Sequence, residues 1–113
     1  MVDQRNKLAA IVWARLSFVV VGFATLYKRE PGPEEWILDV AHVSRDHRKA
    51  GIWGRLLDIR KAIALKNGAS TLVTCPLNPD LIDPLKDRGF IEDTETGFMR
   101  LDITSNQDTP GII

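Results

Sequence analysis

The stretch VSRDHRKAGIWGRLLDIRKAIA, residues 43–64, constrains the fold more than any other part of the chain. It leaves an apolar run at Val43, crosses a basic loop containing Gly51 and Gly54, and enters a segment with helical periodicity. Ile52, Leu56, Ile59 and Ile63 recur at intervals of four, three and four, which sets them on one stripe of a helix. Gly68 is placed to end that helix as a left-handed cap, and Lys66 carries a charge suited to the negative end of its dipole. Apolar runs flank this unit, Trp36–Val43 before it and Ser70–Cys75 after it. Strand, helix and strand at this spacing form a crossover, so the two strands are expected to lie parallel in one sheet. The apolar density of Trp36–Val43 predicts a central strand covered on both faces, with Asp39 and His42 as anomalies in it.

The remaining segments complete a sheet. Ala9–Ala14 and Phe18–Lys28 are rich in β-branched and aromatic residues and read as a hairpin around Arg15-Leu16-Ser17. REPGPEE, residues 29–35, is a loop that lets the next strand return antiparallel. Asn78-Pro79 and Asp83-Pro84 are overlapping helix-start signals, with Pro84 read as opening a short helical segment that ends at Gly89. Phe90–Glu92 and Gly97–Ile103 read as a last strand or hairpin. The fold class is therefore α/β of the α+β kind: a mixed, mainly antiparallel sheet of six or seven strands, with a central parallel pair joined by a crossover helix. Trp13, Trp36 and the phenylalanines are expected in the core, and Cys75 reads as a small core residue closing a buried strand.

With 113 residues the chain makes one domain, residues 1–103, followed by a tail, residues 104–113, rich in turn-forming side chains. Fifteen basic and fifteen acidic residues cancel, so no global field calls for nucleic acid or an anionic membrane. The apolar stretch from Leu8 to Leu26 is broken by Arg15 and Ser17 and reads as strand, neither membrane span nor secretion signal, and a cytoplasmic protein is expected. A single cysteine excludes an internal disulfide, and one thiol with His42 and His47 argues against a structural zinc site; no metal is expected.

Any attraction for anions must then be local, and the basic loop supplies it. The first turn of a helix presents main-chain N–H groups without internal partners, at the positive end of the dipole. Glycine lets an anion approach closely, and Arg48, Lys49 and Arg55 raise the local potential. The segment has neither the Walker spacing nor the glycine pattern of dinucleotide folds, and a diphosphate is its natural guest.

In order and spacing, these residues resemble the Gcn5-related N-acetyltransferase (GNAT) family. Its central signature, arginine or glutamine, two residues, glycine, one residue, then glycine or alanine, is matched by Arg48, Gly51 and the position of Trp53, after a strand ending in Val43. VVVGFATL, residues 19–26, looks like the family's third-strand pattern, and Asn78 stands twelve residues before Phe90 as in its fourth-helix motif. The resemblance covers roughly residues 9–103. It implies acetyl-CoA or another acyl-CoA as donor, its pyrophosphate on Arg48, Lys49, Ala50, Gly51, Trp53 and Gly54, and its pantetheine arm between the two parallel strands. It further implies acyl transfer to an amine of unidentified structure, with a main-chain N–H near Val43 on the oxyanion, Asp39 as base, and Asn78 on the pantetheine arm or at the start of the following helix. The chain departs from the pattern in three places. Trp53 stands where a small residue is usual, Leu85 where a tyrosine usually protonates the leaving thiolate, and only about seven residues precede the first strand, where one or two helices usually wall the acceptor site. An acceptor pocket that is shallow, or completed by a second copy of the chain or a larger assembly, follows from the last of these. A domain that keeps the fold without catalysis, as an interaction module, is the alternative.

Overall fold

The computed structural model describes residues 6–29, 34–48 and 50–104. Lys49 and the tail from residue 105 onward lie outside the described residues. Six strands form one sheet in the order β1-β2-β3-β4-β6-β5: β1 (Asn6–Leu16), β2 (Val19–Arg29), β3 (Glu35–Val43), β4 (Thr71–Thr74), β5 (Ile91–Glu92) and β6 (Met99–Asp102). All neighbours run antiparallel except β3 and β4, which the crossover through helix α1 (Ile52–Lys66) makes parallel. The hairpin β1–β2 turns at Ser17 and Phe18, with Ser17 at positive φ.

Gly68, at φ +94°, follows α1 as the expected left-handed cap. The second helical unit starts earlier than Pro84. Asn78 accepts a hydrogen bond from the Asp80 N–H at 3.0 Å and caps a short 3-10 turn, Pro79–Leu81, that runs directly into α2 (Ile82–Asp87). Pro84 is accommodated inside the first turn of α2, where its missing N–H has no intrahelical acceptor to lose. Gly89, at φ +96°, closes the unit.

The main core joins Leu26, Trp36, Leu38, Leu57, Leu72, Leu85, Phe90, Met99 and Ile103, and a smaller cluster of Ala24, Val43 and Leu56 continues it under β1 and β2. The face of α1 that is buried differs from the apolar stripe at Ile52, Leu56, Ile59 and Ile63. Gly54, Leu56, Leu57, Arg60 and Ala64 face the sheet, and Ile59 is exposed. The helix is rotated because small and long side chains at 54, 57, 60 and 64 form the ridge that fits the sheet, and one of them is a charge.

β3 is central but covered on one face only: Trp36, Leu38 and Val43 are buried, while Asp39, Val40 and His42 are exposed. On the open face Trp13, Phe23 and His42, paired across β1, β2 and β3, stack with ring centroids 5.5 and 6.0 Å apart. The aromatic residues therefore divide. Trp36 and Phe90 are core, whereas Trp13 is 59% exposed and Phe18, at the hairpin tip, 98% exposed. Cys75 is also exposed, because β4 ends one residue earlier and the chain leaves the sheet there.

Candidate active site

The site starts from a mismatch in strand lengths. β3 and β4 pair only through Glu35–Thr71, Trp36–Leu72 and Ile37–Val73, yet β3 runs on to Val43 while β4 stops at Thr74. Beyond Ile37 the parallel strands part and leave an edge inside the sheet. The register between β2 and β3 jumps from Ala24–Ala41 to Leu26–Leu38, so Thr25 faces both Asp39 and Val40 across a β-bulge. The Val40 N–H donates to Thr25 Oγ1 at 3.1 Å, and the Ser44 N–H to the Val21 carbonyl at 2.7 Å. Since N–H directions alternate along a strand, the Ala41 and Val43 N–H groups turn away from β2 toward the gap.

Two clefts open on the gap and share Leu38, Asp39, Thr74 and Cys75. The first, of about 300 Å³, lies on the α1 side and is walled by Ala41, Trp53, Leu57, Arg60, Asn78 and Leu85. The second, of about 450 Å³, is lined by Asn6, Tyr27, Arg29, Glu35, Phe98 and Arg100. Asp39 belongs to both and is exposed; among the described residues its side chain makes no hydrogen bond or ion pair. The bulge puts His42 on the exposed face of β3, as it does Asp39, but His42 stacks on Phe23 and lines neither cleft.

Just before Trp53, which walls the first cleft, the basic loop folds back on itself. The Arg48 Nε–H donates to the Val43 carbonyl at 3.1 Å, and Ser44 Oγ lies 2.7 Å from His47 Nδ1. Gly51 precedes α1 at φ +78° with no side-chain cap, and a Cβ added there would meet nothing within 4 Å. The space over Gly51, at the start of α1, is thus open. The Trp53 indole does not fill that space; it is packed, partly buried, against both core clusters and beneath the Arg88 guanidinium, 5.6 Å from the ring. Arg88 also occupies the space beside Gly54, where an added Cβ would displace its Nη2. Gly54 is buried in α1, with the flexible end of the Arg88 side chain lying beside it. Ala50 is exposed in the turn between Arg48 and Gly51.

Leu85 is 3% exposed within the main core and also walls the first cleft, so no proton donor stands at that position. In the second cleft, Glu35 receives Arg29 at 2.6 Å and pairs with Arg100. Partial burial pushes the Glu35 carboxyl up, but hydrogen bonds and charge from Arg100 and then Arg29 outweigh it and hold the group below its ordinary value. The most unusual side chain is one that sequence periodicity passes over. Arg60 is 2% exposed; its Nε–H donates to the Leu56 carbonyl and its Nη1 to the Thr25 carbonyl, each at 3.1 Å. Burial pulls its pKa down to about 10, opposed by the charge of Asp39.

No family model matches the sequence, and no curated protein matches it. Solved structures do. An acetyltransferase from Bacillus cereus superposes with a TM-score of 0.72 at 14% identity, covering 88% of this chain and 76% of that one. The ribosomal-protein-S18-alanine N-acetyltransferase from Escherichia coli gives 0.69 at 21% identity, covering 89% and 71%. Gcn5 from Tetrahymena gives 0.66 at 20% identity, covering 89% and 71%. The chain has the GNAT fold. Within this fold, the sequence segment 43–64 supplies the end of β3 and the glycine-led helix that joins it to the parallel strand β4. Among the described residues no cluster of histidine, cysteine, aspartate or glutamate could hold a metal ion, and no helix is long and apolar enough to cross a membrane.

Proposed function

We propose that the chain binds an acyl-CoA, acetyl-CoA being the simplest donor, and transfers the acyl group to an amine. The observation that carries this reading is the start of α1, without a side-chain cap and open over Gly51, whose second residue, Trp53, walls a cleft that opens on the gap between the parallel strands. The diphosphate would rest on the first N–H groups of α1, with Arg48 adding charge beside them and Lys49 next to it in sequence. The pantetheine arm would run along the free edge of β3, pairing with main-chain groups of Val43 and Ala41 as an added strand would. Of these, Val43 stands nearest the diphosphate, so the deeper Ala41 N–H is better placed for the thioester oxygen than Val43.

The amine would arrive from the second cleft. Its nitrogen attacks the carbonyl carbon, the oxyanion is held by main-chain N–H, and the C–S bond breaks to release CoA. Asp39, exposed at the junction of the two clefts, would accept the amine proton. The departing thiolate would be protonated by solvent, since Leu85 offers no proton. The buried Leu85 is also what favours the second reading, a GNAT-fold domain that serves as an interaction module. The open aromatic face at Trp13 and Phe18 is a surface on which a second copy or a larger assembly would sit.

Calorimetry with CoA and acetyl-CoA tests the reading. Binding in the micromolar range, followed by thioester consumption with a panel of amines and peptides, is the expected result. Absence of binding at millimolar ligand leaves the interaction module as the function.

A further inference from the structure

A buried guanidinium without a carboxylate is rare, because the charge loses its hydration and gains no counter-ion in return. Arg60 is such a group. Among the described residues it makes no ion pair, and its two hydrogen bonds go to the neutral carbonyls of Leu56 and Thr25. A guanidinium has more N–H donors than these two carbonyls use. The remaining donors belong to the wall of the first cleft, beside the apolar surfaces of Trp53, Leu57 and Leu85. Asp39 acts on Arg60 through its charge but lies outside ion-pair contact and faces water on β3.

The position of Arg60 says which part of a ligand it would meet. From Ile52 to Arg60 the helix rises about 12 Å, so a diphosphate at the start of α1 is out of reach. Nη1 bonds the carbonyl of Thr25, the residue opposite the Asp39–Val40 bulge, which is the deep end of the gap. A CoA entering by its diphosphate would bring its acyl end there.

We propose that the acyl group carried into this cleft bears a carboxylate that pairs with Arg60, so that the donor is the CoA thioester of a short dicarboxylic acid, of the succinyl type. This rests on the CoA reading above and names its donor. Transfer would form the N–C bond, break the C–S bond and pass the amine proton to Asp39. It would leave CoA and an amide whose free carboxylate reverses the charge of a protonated amine.

The test is calorimetry with four ligands: CoA, acetyl-CoA, succinyl-CoA and butyryl-CoA, the last matching succinyl in length without its carboxylate. Wild-type protein is expected to bind succinyl-CoA about tenfold more tightly than butyryl-CoA. Arg60→Met should abolish that preference and leave the affinity for CoA itself unchanged, with folding checked by a thermal melt. Equal or weaker binding of succinyl-CoA by the wild type overturns the proposal while leaving the CoA site standing, and this comparison needs no variant. A succinyl preference that survives in folded Arg60→Met removes Arg60 from the site. Failure of all four ligands to bind overturns both the proposal and the reading beneath it.

Discussion

The two clefts that meet at the β3–β4 gap are built from different materials. The α1 side is made of main-chain donors at a helix start, a free strand edge and apolar walls, with one charge sunk into its depth. The opposite side is made of side chains that carry full charges near the surface: Glu35 held between Arg29 and Arg100, with Tyr27 and Asn6 beside them. Main-chain geometry cannot be altered by a point substitution without altering the fold. Surface ion pairs can be exchanged at small cost. Under the proposed function, the first cleft would suit a ligand with a constant handle and the second an acceptor that varies.

Four variants sharpen or break that contrast, from largest effect to smallest. Gly51→Glu puts a carboxylate over the open start of α1 and should lower CoA affinity on the order of 100-fold, with the far-ultraviolet spectrum retained; undiminished affinity would remove the helix start from the site. Asp39→Asn should reduce turnover on the order of 100-fold while CoA affinity, read by calorimetry, stays unchanged, because the group lies at the junction and not at the handle. Arg100→Met should raise the acceptor KM about threefold, as befits a surface charge, and leave CoA binding untouched; a change in CoA affinity instead would show that the clefts are not separable.

The smallest effect concerns pH. Glu35 has its folded-state pKa below the ordinary 4.5, so its ion pairs contribute stability above that value and lose it as pH falls through the lowered one. In urea titrations, Glu35→Gln should be less stable than wild type at pH 7, with the difference closing as pH falls below 4.5 and through the lowered folded-state value. A gap that persists in acid would assign the role of Glu35 to packing.

Much of this architecture was legible in the chain. The parallel pair followed from strand, helix and strand around residues 43–64, the left-handed cap from Gly68, and the end of the second helical unit from Gly89. The N-cap at Asn78 was readable because a short polar side chain before proline favours a helix start, although the same pair at Asp83-Pro84 lies inside α2. Burial was read less well. β3 was expected to be covered on both faces, and Cys75 and Trp13 to be core, but apolar density reports which residues tolerate burial and not whether a second layer is present to bury them. The helix stripe was misaligned for a related reason: a periodicity rule counts apolar residues, and Arg60, the charge on the buried ridge, is excluded from the count.

The sequence by itself determined the order and type of the elements and the anion-attracting start of α1, because propensity, capping and periodicity act over a few neighbouring residues. Only the tertiary structure decided that β3 outruns β4, that a bulge at Asp39–Val40 faces Thr25, and that Arg60 lies beneath it. Those facts depend on strand register and on the rotation of α1 against the sheet. Both are fixed by packing between segments far apart in the chain.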